Sequence, residues 1–484
     1  MSLLVLGTAS HVGKSVTVAG LCRALLNRGY AVTPFKAQNM SLNSYVTADG
    51  LEIGIAQAMQ AIAAGQVATA DMNPILLKPK ADSVSQVIVL GKPYRDLPIR
   101  EYYKETENLL EVAVSAYERL FQETGCVLCE GAGGAAELNL YERDIANIRL
   151  ARRLGIPIVL VADIERGGVF AQLYGTIELL PPDIRALVSG IIINKFRGDK
   201  EIFATGVTLI EEYCNVPVLG VVPACDLTIP SEDSLSLQDK RASSSPVRIA
   251  VIHLPRIANY TDFETLERNA SVTYVRPGES LKHYDCIIIP GTKNTVLDLL
   301  HLREHGTISE IEEARDRGIP VIGICGGFQM LGRTIHDNCI ESTDVASYEG
   351  IGFLPVETWF SEYAKTTIRV TRKAEPIGPI LGAMDTVSGY EIHMGRSERI
   401  GGREAFSGDG AVSDDGLVFG TYLHALFSNQ SAVSALLTYL YRTKGLEFTM
   451  AAECDPYDQF AEHLEAHIDM DRIIQLASPR QRVS

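Results

Sequence analysis

Nowhere does the sequence string together the roughly 18 apolar residues that a membrane-spanning helix requires, so no membrane segment is expected. The first residues, MSLLVLGTASHVGKS, carry no basic leader and too short an apolar run for a signal peptide, and the reading is a cytoplasmic chain. Positive charge is in short supply: 44 Lys and Arg stand against 60 Asp and Glu, for a net charge of -16. Such a surface repels nucleic acid and anionic membranes, and an anionic ligand would need a local basic pocket. The nine cysteines are scattered, without paired CxxC motifs for zinc or the dense framework of a secreted domain; reduced thiols are expected.

What is present is core-forming sequence. Hydrophobic residues make up 46% and charged residues 21% of 484, the balance of a folded protein and long enough for two or three domains at about 100–200 residues each. Short β-branched runs at 3–7, 31–35, 126–130, 156–163, 190–194 and 218–223 are apolar at nearly every position. This is the pattern of parallel strands covered on both faces. The polar, serine-rich stretch 230–246 reads as a linker. A second series at 247–254, 285–291, 319–327 and 416–424 reads as another α/β sheet, followed by helical periodicity to the end. The expected division is therefore 1–229, a linker at 230–246, and 247–484 with C-terminal helices.

GTASHVGKS, Gly7 to Ser15, follows a strand and precedes a helical pattern, the context of a phosphate-binding loop. Its backbone N–H groups and helix dipole suit phosphate oxygens, with Gly13 and Lys14 at the phosphates and Ser15 toward magnesium. Thr8 stands where the strict pattern has its first glycine, a variant that resembles the dethiobiotin synthetase-like enzymes. Glu130, closing VLCEGAGG at the carboxyl end of a strand, and Asp49 are the candidate magnesium carboxylates. Asn194, ending IIIN, is a candidate for the adenine edge, with helix capping the competing role.

Gly323, Cys325 and Gly327 reproduce the G-x-nucleophile-x-G elbow, a sharp strand-to-helix turn that exposes its central side chain. The helix start favours a thiolate there. His424, in GTYLHALF, is the candidate base. Oxyanion donors are expected near Gly291 and Gly326. The constellation resembles class I glutamine amidotransferases, which release ammonia from glutamine. In most of that class an acid lies two residues beyond the histidine. Here that position is Leu426, leaving a Cys325–His424 dyad, with Glu391 and His393 as nearby groups of equally plausible structural use.

The strings FKAQNMSLNSYVTADGLEIGIAQAMQAIAAG, MNPILLKPKADSVSQVIVLGK, EGAGGAAELNL, ADIERGGVFA, INKFRGD, GICGGFQMLG, GYEIHMG and GTYLHALF together resemble the cobyric acid synthase family over nearly the whole chain. The resemblance implies a dethiobiotin synthetase-like P-loop domain joined to a class I glutamine amidotransferase domain. It also implies ATP- and magnesium-dependent amidation of the b, d, e and g carboxylates of adenosylcobyrinic acid a,c-diamide, with glutamine as nitrogen donor. A corrinoid polycarboxylate needs cations; Lys36, Lys78, Lys80, Lys92 and Arg166 lie in or beside the matching strings, with Arg166 and Lys78 as the substrate candidates. Competing readings are an amidoligase forming the a,c-diamide, a regulatory P-loop ATPase with a decayed thiol domain, and a nucleotide-gated cysteine hydrolase.

Overall fold

The computed structural model describes all residues except 82–83, 226–244, 344, 363–364, 451–454 and 479–484. The chain forms two compact units: residues 1–41, 51–232 and 454–484 in the first, and 42–50 and 233–453 in the second. Residues 226–244, and with them most of the expected linker, lie outside the described residues.

The first unit is built on a six-stranded sheet of β1 (Ser2–Gly7), β2 (Thr33–Phe35), β3 (Val127–Glu130), β4 (Ile158–Asp163), β5 (Val188–Phe196) and β6 (Val218–Pro223). Their order is β6-β5-β4-β1-β3-β2, and every pairing is parallel. Leu3, Leu4, Val5 and Leu6 are all fully buried, as consecutive residues must be when helices cover both faces. Chain order reverses on either side of β1, so the loop leaving its carboxyl end lies at a topological switch point, where ligands bind in open α/β sheets.

A smaller sheet of Gln38–Met40, Ile75–Ala81, Val84–Val89 and Lys92–Pro98 adds an antiparallel meander. Ile75, Leu77, Val87 and Leu97 pack against Leu109, Leu110 and Val114 of the helix Ile99–Thr124.

The two C-terminal helices were expected in the second domain, but they belong to the first unit. Tyr457, Phe460, Leu464 and Ile473, from Pro456–Glu465 and Met470–Ala477, share a core with Val18, Leu21 and Leu25 of the helix Lys14–Asn27. Asp469 N–H donates to the Leu219 carbonyl of β6 at 2.8 Å. Helical periodicity specifies an apolar stripe; it does not specify the face that the stripe covers.

The second unit has its own six-stranded sheet of β7 (Arg248–Ile252), β8 (Ser271–Val275), β9 (Cys286–Ile289), β10 (Val321–Ile324), β11 (Ala411–Val412) and β12 (Val418–Thr421). The order is β8-β7-β9-β10-β12-β11, parallel except for the edge pair β11–β12. The carboxyl ends of β7, β9, β10 and β12 are therefore neighbours. The hairpin Lys365–Lys373 with Thr386–Met394 is antiparallel. Among the described residues no helix is long and apolar enough to cross a membrane.

Candidate functional site

In the first unit, the loop from Gly7 to Ser15 joins β1 to the helix Lys14–Asn27. Gly13 has φ 100°, and a Cβ there would lie 2.2 Å from Asn194 Nδ2, so only glycine fits without movement. Asn194 Nδ2 donates to the Val12 carbonyl at 2.9 Å, which ties the loop to β5. Lys14 Nζ donates to the carbonyls of Ala9 (3.1 Å) and Gly133 (2.7 Å).

Glu130 is fully buried at the end of β3. Its carboxylate accepts from Ser15 Oγ at 2.7 Å, Lys36 Nζ at 2.9 Å and Gln60 Nε2 at 2.6 Å. Among the described residues Gln60 Oε1, which is buried, has no hydrogen-bond partner, an arrangement that needs a reason. Asp163 closes β4, where its carboxylate accepts from Lys195 Nζ at 2.8 Å; the same ammonium donates to the His11 carbonyl at 2.7 Å. Sequence reading passed over Asp163 and Gln60, although VLVAD shows an acid at a strand's carboxyl end. Asp49 is exposed and belongs with the second unit, whereas Ser15 and Glu130 belong to the first. Of the cations, Lys78 is buried against Glu52 at 2.7 Å and Lys80 meets Asp96 at 3.1 Å, while Lys92 and Arg166 are exposed.

The buried Glu130–Lys36 pair makes a stability prediction. Glu130→Ala strips a buried ammonium of this carboxylate and is expected to cost about 3–5 kcal/mol, read as a lowered urea midpoint of the full chain. Lys36→Met with Glu130→Gln, which removes both charges, is expected to recover most of the loss.

In the second unit Cys325 sits between β10 and the helix Gly326–Leu331 with φ 52° and ψ -108°, a strained conformation for a residue with a side chain. A Cβ at Gly327 would lie 2.0 Å from the Ile289 carbonyl oxygen, and one at Gly323 would lie 2.7 Å from Gly327. The glycines thus let the turn close against β9. The Cys325 N–H is used by the Thr421 carbonyl at 2.8 Å. A Cβ on Gly291 would lie 3.0 Å from His424 Cε1 and 3.7 Å from Cys325 Cβ, so Gly291 borders both groups.

His424, just beyond β12, is 1% exposed, and it and Cys325 both border Gly291. Its Nδ1 lies 2.7 Å from Asp262 Oδ2, and Asp262 Oδ1 accepts the Ala425 N–H at 2.8 Å. Burial pulls the imidazole pKa down, but the Asp262 charge and hydrogen bond, with a smaller contribution from Cys325, outweigh it and raise it to about 10. Thiol, base and acid come from the carboxyl ends of β10, β12 and β7.

Asp262 carries no sequence signal of the usual kind. It precedes the histidine in the chain, in NYTDFE, instead of following it by two; the only available cue was an acid beyond the end of a strand. Glu391 and His393 do not reach this role: Glu391 accepts from Arg372 Nε at 2.9 Å and lies 3.7 Å from His393 Nε2. The His393 ring stacks on Tyr422 at 3.7 Å.

Residues 3–235 match a family model described as the CobQ/CobB/MinD/ParA nucleotide binding domain, and residues 248–432 match one described as the CobB/CobQ-like glutamine amidotransferase domain. Among curated proteins, one from Methanosphaerula palustris is 64% identical over 99% of this chain and 98% of its own length. Another, from Methanoculleus marisnigri, is 63% identical over 98% of each, and a third, from Methanosarcina barkeri, is 54% identical over 98% of this chain and 99% of its own. All three carry the name "Probable cobyric acid synthase". The chain therefore belongs to the cobyric acid synthase family, enzymes that join a nucleotide-binding domain to a glutamine amidotransferase domain as glutamine-dependent amidating ligases.

Proposed function

We propose that this chain amidates the b, d, e and g carboxylates of adenosylcobyrinic acid a,c-diamide to give adenosylcobyric acid, using ATP and ammonia released from glutamine. The observation that carries the proposal is the Cys325–His424–Asp262 array, borne on the same chain as a phosphate loop and supported by the name its relatives share. The Cys325 thiolate attacks the glutamine carboxamide carbon, and N–H groups about Gly291 and Gly326 hold the oxyanion. His424 protonates the departing ammonia, then takes a proton from the water that cleaves the thioester to glutamate. In the first unit an acceptor carboxylate oxygen attacks the terminal phosphorus of ATP, releasing ADP and leaving an acyl phosphate. Ammonia displaces phosphate from it, forming the amide and losing a proton.

Magnesium neutralises charge on phosphates during such transfers. The Ser15 hydroxyl, the Glu130 carboxylate and Gln60 Oε1, which has no partner among the described residues, are hard oxygen donors suited to hold it. Lys14 would leave its two backbone carbonyls for the phosphates.

The test is a purified incubation with ATP and glutamine, offering cobyrinic acid and its a,c-diamide as separate acceptors. Cobyric acid formed from the diamide, in an ATP-dependent manner, is expected; conversion of cobyrinic acid to the a,c-diamide alone would overturn the assignment in favour of the other amidoligase.

Two variants probe the parts. Asp262→Asn removes the charge that raises His424, so the imidazolium form is lost at lower pH. Glutaminase kcat is expected to fall by about 10²-fold, with the basic limb of its pH profile displaced downward. Arg166→Ala is expected to raise KM for the corrinoid by about 10-fold, the worth of a charge-assisted hydrogen bond, without altering glutamine hydrolysis. An unchanged corrinoid KM would remove Arg166 from the pocket.

A further inference from the structure

Residues 42–50 interrupt the first unit in sequence yet belong to the second. Asn43 is 1% exposed, Ser44 0%, Val46 0% and Thr47 1%. Polar groups so deeply buried need partners, and those of Asn43 and Ser44 lie in the stretch that carries Asp262. Ser44 N–H donates to Asn259 Oδ1 at 2.9 Å, and Tyr260 N–H donates to Asn43 Oδ1 at 3.1 Å. Asn259, left-handed at φ 53°, leads directly into the single turn Tyr260–Phe263 that presents Asp262.

A second tie reaches the histidine. Tyr390 Oη donates to the Ser44 carbonyl at 2.9 Å. The Tyr390 ring stacks on the His424 imidazole, with centroids 5.5 Å apart and planes 20° apart. Their backbones exchange two hydrogen bonds, His424 N–H to Tyr390 at 2.8 Å and Tyr390 N–H to His424 at 3.3 Å. Val46 packs with Tyr390 and Ile392, and the Ile392 carbonyl accepts from Cys325 Sγ at 3.5 Å. One short segment thus braces the turn of the acid, the ring over the base and the strand beside the thiol.

The geometry points to Asn43–Val46 as a positioning strap for the thiol centre: it sets Asp262 and His424 relative to one another without touching the reacting atoms. The inference rests on the glutaminase reading of that centre. Its ends continue into Ser41 and Leu51, residues of the unit that carries the phosphate loop. Glutamine hydrolysis therefore depends on chain that neither sequence periodicity nor the boundary at 230–246 assigns to the amidotransferase domain. A misplacement of about 1 Å in a catalytic array can cost about 10²-fold in rate, so loosening one of several braces is expected to cost less.

The test uses the full chain with Asn43→Ala and, separately, Tyr390→Phe, which removes one hydroxyl and keeps the stacked ring. Glutaminase kcat and KM are measured beside amidation driven by added ammonium. The expected result is a fall in glutaminase kcat of about 10-fold for Asn43→Ala and a smaller fall for Tyr390→Phe. Glutamine KM and the ammonium-driven rate should stay within about twofold of wild type in both, a split that general loss of folding would not produce. Unchanged glutaminase kcat in both variants would overturn the strap, as would parallel loss of the glutamine- and ammonium-driven rates in Tyr390→Phe. Cys325→Ala run alongside separates the two failures. Glutamine hydrolysis persisting in that variant overturns the glutaminase reading itself, whereas its loss there, with Asn43→Ala and Tyr390→Phe unaffected, overturns the strap alone.

Discussion

Cys325→Ala is expected to lower glutamine-dependent amidation by about 10³-fold or more while leaving amidation with added ammonium close to wild type. The size follows from removing a nucleophile, for which the remaining groups offer no covalent route. Retention with ammonium follows from the proposed separation of tasks: Cys325 lies in the second unit, 6% exposed at the end of β10, and nothing in the proposed acyl phosphate step requires it. Alanine also suits the site sterically, because the strained φ of 52° at this position is set by β10, the Thr421 carbonyl and Gly327. Rates with both nitrogen donors on one preparation check this outcome, and equal loss with both would contradict the division of labour.

Lys14→Ala is expected to lose both activities together, by about 10²–10³-fold, since electrostatic stabilisation of phosphoryl transfer makes up most of its catalysis. In the structure Lys14 Nζ is held by the Ala9 and Gly133 carbonyls, neutral acceptors that a phosphate would outcompete. Added ammonium is not expected to rescue this variant, because in the proposed mechanism the acceptor has no leaving group without the acyl phosphate. The glutaminase rate, measured as glutamate release, should persist. The two variants thus fail in complementary ways.

Why some of this was legible in sequence and some was not has physical causes. Strands such as IPIVLVAD and GIIIN are readable because burial on both faces leaves no polar position to blur them. The elbow is readable because its sterics are local: Gly323 and Gly327 lie two residues either side of Cys325. The meander across 75–98 mixes buried and exposed positions, and its strands carry Lys, Asp and Arg that dilute the signal. Asp262 was hidden because its link to His424 spans 162 residues and exists only once β7 and β12 share a sheet. The C-terminal helices were visible as helices, but an amphipathic stripe is compatible with either core. Residues 42–50 hold a related lesson: Asn43 and Ser44 look like solvated loop residues until Asn259 and Tyr260 meet them.

The central claim is that nitrogen freed at Cys325 is the nitrogen that enters the corrinoid. Glutamine labelled with nitrogen-15 in its side-chain amide, supplied with ATP, magnesium and the a,c-diamide, tests it by mass spectrometry of the product. The account predicts that the new amides of the corrinoid carry the label; glutamine consumed while the corrinoid is recovered unamidated would contradict it.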